Sequence, residues 1–110
     1  IGSFQLVQQL LAEMKASIDA GRMLAYRGLW KVDRGERADL ETSLAKWWCT
    51  ERAVEVTSNA IQVLGSYGLS EELPLERYFR DARTLTIPDG TSQIQQMIVA
   101  RAMTGLRAFT

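Results

Sequence analysis

The chain has 110 residues, 46% of them hydrophobic, with thirteen basic and thirteen acidic side chains and no histidine. That length suits one domain with a modest core, and balanced charge gives nucleic acid or an anionic membrane no electrostatic hold. Without histidine there is no Ser-His or Cys-His nucleophilic pair and no histidine zinc site, so no metal is expected and chemistry falls to carboxylates, backbone groups or a cofactor.

Helical spacing begins almost at once. Phe4, Val7, Leu11, Met14, Ile18, Gly21, Ala25 and Leu29 follow the three-four repeat, and Val32 closes it. Leu6, Leu10, Leu24 and Trp30 widen the stripe to a second face. A helix over about 3–33 would run roughly 45 Å at 1.5 Å per residue, a length that long antiparallel bundles favour. The polar break Asp33-Arg34-Gly35-Glu36 puts glycine where a helix terminates.

Leu40, Leu44, Trp47, Val54, Ser58 and Ile61 then make one seam of a second helix, and Trp48, Ala53, Thr57, Ala60 and Leu64 its neighbour. Adjacent Trp47 and Trp48 point about 100° apart on a helix, so burying both needs partners on two sides. Gly65 ends this helix, and 65–73 reads as a loop. Pro74 suits the first position of a short helix reaching about Ala82. Residues 85–90 read as extended and then turning. Thr91 or Ser92 can cap a last helix, Ser92-x-x-Gln95 matches a capping box, and Ile94, Met97, Ile98, Ala102 and Leu106 form its stripe. The expected fold class is all-α, an up-down bundle of two long and two shorter helices in one domain over 1–110.

No apolar run is long enough to span a bilayer, and no basic, apolar leader for secretion opens the chain. Cys49 has no disulfide partner within the chain and suits a reducing compartment. It reads as a small buried residue, since no base is present to activate it. Ile1 in place of an initiator methionine, with periodicity already running, reads as a fragment with upstream sequence missing. Arg77, Arg80 and Arg83 recur every third residue beside Glu76 and Asp81, which reads as a salt-bridged surface or subunit contact. On local chemistry alone, Pro88-Asp89-Gly90 is a turn and Thr91 a cap.

Three segments in this order change that reading: Ala60-Ile61-Gln62-Val63-Leu64-Gly65-Ser66-Tyr67-Gly68, then Pro74 through Arg83, then Ile87-Pro88-Asp89-Gly90-Thr91-Ser92-Gln93-Ile94-Gln95. Together they resemble the C-terminal domain of flavin-dependent acyl-CoA dehydrogenases, over Gln5 to about Arg101. The resemblance implies FAD as cofactor and α,β-desaturation of an acyl-CoA thioester. It also implies helical and β domains upstream, a dimer or homotetramer, and electron-transfer flavoprotein as acceptor. A role in fatty acid metabolism, in the bacterial cytoplasm or mitochondrial matrix, follows from it.

By the same resemblance Asp89 is the catalytic base that removes the substrate α-proton. Asp89 and Gly90 would meet the substrate, with the Asp89 N–H polarising the thioester carbonyl. Gln62, Val63, Leu64, Gly65 and Ser66 would contact the ADP portion of a flavin held mainly by a neighbouring subunit, and Gln5 would also touch flavin. Thr91, Ser92 and Gln93 would form a flavin-contacting segment at a helix N-terminus. The family more often carries glutamate where Asp89 stands, an aromatic residue where Pro88 stands, and glycine where Ser66 stands. Two alternatives stay open: a non-catalytic helical assembly module, and a flavoenzyme acting on acyl-carrier-protein thioesters.

Overall fold

Helix α1 spans Gln5–Asp33 and α2 spans Asp39–Leu64, joined by a turn built around Gly35. The turn is a Schellman motif: the Gly35 N–H donates to Val32 and the Glu36 N–H to Lys31, satisfying carbonyls that a helix end leaves free. Gly35 adopts φ 69°, a left-handed conformation that costs glycine nothing. Helix α3 spans Leu75–Leu85 and α4 spans Ser92–Thr104. The computed structural model describes residues 1–108, and it is all-helical there, as expected. No helix among these residues is long and apolar enough to cross a membrane.

Helix α2 is the hub. Helices α1, α3 and α4 each pack on it, while α1 and α4 do not touch. The domain is therefore elongated, 50 × 24 × 23 Å. Gly21 lies against Cys49, whose thiol donates to the Gly21 carbonyl at 3.3 Å, and Gly28 lies against Thr42. These pairs fix an antiparallel register and bring the two backbones close, because neither glycine interposes a side chain.

That close approach rotates α1 relative to the expected stripe. The face toward α2 runs through Val7, Leu10, Met14, Ser17, Gly21, Leu24, Ala25, Gly28 and Lys31. Phe4, Leu11, Ile18, Leu29 and Val32, all assigned to the core from spacing, are exposed, as are Leu6 and Trp30. Trp47 and Trp48 are half-buried, and the Arg52 guanidinium lies 5.1 Å from the Trp48 ring centre. Cys49 is half-buried as expected, and burial pushes its thiol pKa up, away from nucleophilic use.

Four further boundaries differ from the sequence reading. Gly65–Leu69 forms a 3-10 turn where a loop was expected. Its Gly68 packs on α2 so closely that an added Cβ would lie 2.9 Å from the Ile61 Cα. Pro74 stands just ahead of α3 instead of inside it, and α3 continues to Leu85, three residues past Ala82. Residues 85–90 are thus a helix end and turns, with Thr86 still in the helical region. Helix α4 stops at Gly105 in left-handed geometry, leaving Leu106 beyond it and exposed. On α4 itself Ser92 and Gln95 are buried, whereas Ile94 is 43% exposed, so its start is held by polar contacts.

Glu41, the one strongly buried charge among the described residues, ties α1 to α2: Lys31 donates to it at 2.8 Å and the Arg27 guanidinium lies at 3.5 Å. The Lys31 hydrogen bond lowers the Glu41 carboxyl pKa below its ordinary 4.5, with burial opposing. A lowered native pKa makes the contribution complete above the unfolded value and lost as pH falls through the native one. Glu41→Gln should cost about 2 kcal/mol near neutral pH. Denaturant midpoints of wild type and variant should converge below pH 4.5. Gly68→Ala should destabilise by about 1–3 kcal/mol, because the methyl meets backbone that has no rotamer to yield; an unchanged midpoint would show that the 3-10 turn can lift off α2.

Candidate functional site

The turn between α3 and α4 is held from four directions. Pro88 presets its own φ, and the next residue, Asp89, takes φ 57°, followed by Gly90 at φ 92°. Aspartate tolerates the left-handed region better than most side-chain-bearing residues. Two successive positive φ values need outside support. Gln95 donates its amide to the Asp89 carbonyl at 2.9 Å and, more weakly, to the Gly90 carbonyl at 3.4 Å. From α2, the Lys46 ammonium donates to the Gly90 carbonyl at 2.8 Å. Arg83 bonds the Thr86 hydroxyl, and the Thr86 carbonyl accepts the Ser92 N–H at 3.2 Å.

The first turn of α4 completes the frame. Thr91 is the cap, its hydroxyl accepting the Ile94 N–H at 3.4 Å and its carbonyl the Gln95 N–H at 3.0 Å. The Ser92-x-x-Gln95 capping box does not form. Ser92 instead donates its buried hydroxyl to Glu51 of α2 at 2.5 Å, and Gln95 serves the preceding turn. The Asp89 and Gln93 side chains are exposed, and the N–H groups of both find no acceptor among the described residues. An exposed carboxylate, an unengaged N–H beside it and an unengaged N–H in the first turn of α4 therefore lie close along the chain.

The second group of expected site residues is elsewhere. Gln62, Val63 and Leu64 form the last turn of α2, and Gly65 and Ser66 open the 3-10 turn. Gln62, Gly65 and Ser66 are exposed; Val63 and Leu64 are half-buried. Gly65 has φ 61°, and a Cβ built there would meet nothing within 4 Å, so its backbone is open to a ligand. The register set by Gly21–Cys49 and Gly28–Thr42 brings exposed Gln5, at the start of α1, level with Gly65. Asp89 sits beside the Lys46–Glu51 stretch. Glu51 and Gly65, just past the end of α2, stand fourteen residues apart in sequence, roughly 21 Å at 1.5 Å per residue. The two groups are distinct surfaces of one chain.

Sequence reasoning missed Lys46, Glu51, Arg83 and Gln95 as the supports of the Asp89 turn. The one available signal was a lysine inside the otherwise apolar run Leu44-Ala45-Lys46-Trp47-Trp48-Cys49. Of the arginines read as surface pairs, Arg80 does bond Glu76 at 2.6 Å, whereas Arg83 turns to Thr86.

Residues 1–104 match the family model described as the acyl-CoA dehydrogenase C-terminal domain. A 3-(aryl)acrylate reductase of Clostridium sporogenes is 40% identical over 100 residues, covering 91% of this chain and 26% of that protein. A caffeyl-CoA reductase–Etf complex subunit of Acetobacterium woodii is 36% identical, covering 91% and 26%. The crystal structure of a glutaryl-CoA dehydrogenase from Mycobacterium smegmatis superposes with a TM-score of 0.94 at 35% identity, covering 99% of this chain and 28% of that one. The chain thus spans about a quarter of the length of these relatives. With its hub helix, its glycine-built turns and the Asp89 loop all falling inside the matched span, the chain belongs to the acyl-CoA dehydrogenase family, as its C-terminal helical domain.

Proposed function

We propose that the chain is the C-terminal part of a flavin-dependent acyl-CoA dehydrogenase that desaturates an acyl-CoA thioester between its α and β carbons, with Asp89 as base. The observation that carries this reading is the outward-facing Asp89 carboxylate beside its own unengaged N–H, on a turn held by α2 and α4. Asp89 takes the α-proton, and its N–H donates to the thioester oxygen, stabilising the charge that builds there as the proton leaves. Gly90, the next residue, would meet the substrate through its backbone, while the space its absent side chain leaves is taken up by Gln95 and Ile94. FAD, when bound, supplies the acceptor for the hydride leaving the β-carbon.

The residues fit that cofactor. Exposed Gln5, Gln62, Gly65 and Ser66 offer amides, a hydroxyl and open backbone, with Val63 and Leu64 beneath them, for an ADP moiety. At the other group, Thr91, Ser92 and Gln93 form a helix N-terminus whose free N–H suits an electron-rich ring edge. Because Ser92 spends its hydroxyl on Glu51, its part in holding the cofactor is by backbone alone.

As the resemblance implies, the ADP group would serve a flavin held mainly by a neighbouring copy, and the separation of the two groups along α2 is compatible with that arrangement. The exposed apolar band of α1, from Phe4 and Leu6 to Leu29 and Trp30, offers area for that assembly or for upstream helical and β domains. A dimer or tetramer, electron transfer to an electron-transfer flavoprotein, and a cytoplasmic or mitochondrial-matrix setting complete the reading. The Etf complex that includes the Acetobacterium woodii relative supports the electron-acceptor part.

The test uses the full-length protein purified with FAD and mixed anaerobically with a panel of acyl-CoAs. Wild type should bleach the flavin absorbance; Asp89→Asn should lose at least roughly 100-fold in rate with its FAD retained, the scale of a general base. Bleaching that survives the substitution would place the base outside this chain. Bleaching by acyl-carrier-protein thioesters alone would change the substrate class.

A further inference from the structure

Lys46 is unusual among the basic residues of this chain. It is half-buried on α2, it faces no carboxylate within 4.0 Å among the described residues, and its hydrogen bond goes to the backbone carbonyl of Gly90, 44 residues away. A charged donor on a neutral carbonyl makes a stronger hydrogen bond than a neutral one would. Partial burial keeps water from competing for either group.

The receiving carbonyl belongs to the second of two successive residues with positive φ, Asp89 at 57° and Gly90 at 92°. Gln95 grips the same pair of carbonyls from α4. It fits so tightly that a Cβ built on Gly90 would lie 2.8 Å from its Nε2. Two donors from two helices thus fix the peptide units immediately after the Asp89 Cα, while the carboxylate itself has no partner among the described residues.

We propose that Lys46 is a positioning residue for the reaction: by holding the Gly90 carbonyl it fixes the direction in which the Asp89 carboxylate and N–H face the substrate, with Gln95 as its counterpart. This rests on the reading of Asp89 as the base. A base must reach a proton within about 3 Å, and a misplacement of about 1 Å costs on the order of 100-fold in rate. Aspartate has one torsion fewer than glutamate with which to correct a displaced backbone, so the backbone must be placed correctly from the outset.

The test compares full-length wild type, Lys46→Met, Lys46→Arg, Asp89→Asn and the double variant Lys46→Met/Asp89→Asn, all loaded with FAD. Lys46→Met keeps the stem and removes the donor. It should slow anaerobic flavin bleaching by roughly 10- to 100-fold, with the substrate concentration for half-maximal rate changed by less than about threefold and FAD content unchanged. Lys46→Arg, which restores a donor, should recover part of the rate. In the Asp89→Asn background Lys46→Met should add no further loss, because it acts through the base. Amide hydrogen exchange over 86–93 should quicken in Lys46→Met, a readout independent of turnover.

Wild-type bleaching by Lys46→Met, with Asp89→Asn silent, overturns the positioning role and leaves the base reading intact. Equal losses from Lys46→Met with and without Asp89 overturn it as well, since the effect would then be structural. Normal bleaching by Asp89→Asn removes the base reading and this role with it. If Lys46→Met fails to fold, Gln95→Met carries the same comparison. Loss of FAD by both variants would mark the contact as purely structural and sink the proposal.

Discussion

Everything in this domain is referred to α2. Each of the other helices packs on it, and α1 and α4 never meet, so the position of any group is set by where its helix docks along this one axis. The docking marks are few and specific: Gly21 and Gly28 against Cys49 and Thr42, Glu41 with Lys31, Gly68 against Ile61, and Lys46 and Glu51 on the turn and first residue of α4. Among the described apolar residues, only Ala38 and Ala82 are nearly fully buried. With so little core, close backbone approach and polar contacts fix the geometry that bulky side chains would fix elsewhere.

That economy explains what could be read from the sequence and what could not. The ends of α1 and α2 at Gly35 and Gly65 and the start of α4 at Thr91 were legible because their signals are local, whereas α3 begins one residue after Pro74 and runs past the expected Ala82. The packing face of α1 was not legible. Its apolar repeat counts large residues, whereas the contact with α2 selects small ones, so Phe4, Ile18 and Leu29 fall outside the seam. The polar support of the 86–92 turn was invisible for a different reason. Lys46 and Gly90 stand 44 residues apart, and a lysine in a helix reads as solvated until its partner is located.

The Asp89 position shows the same division. Its turn chemistry, proline then a residue able to take positive φ then glycine, is local and was correctly read as a turn. What lifts it above an ordinary turn is non-local: Asp89 and Gly90 are tethered to α4 and α2, and Ser92, which opens α4, is tethered to α2. Ordinary surface turns need no such tethering. A positive-φ turn held by cross-helix bonds is what the proposed role of Asp89 as a pre-set base would need.

The separation of the two site groups constrains the assembly more than either group does alone. Along α2, Glu51 and Gly65 stand roughly 21 Å apart at 1.5 Å per residue, and α2 is a continuous helix across most of that span. No bending of the domain brings Gln62 and Asp89 together without breaking the helix. A cofactor that uses both in one copy must be long and lie along the axis. A cofactor that uses one from each copy needs two antiparallel domains whose opposite ends face each other. The exposed apolar residues of α1, from Phe4 near the Gly65 end to Trp30 at the other, would offer surface to such an arrangement. In the proposed assembly, covering that surface would accompany completion of two equivalent sites, so flavin retention and assembly would depend on the same helices.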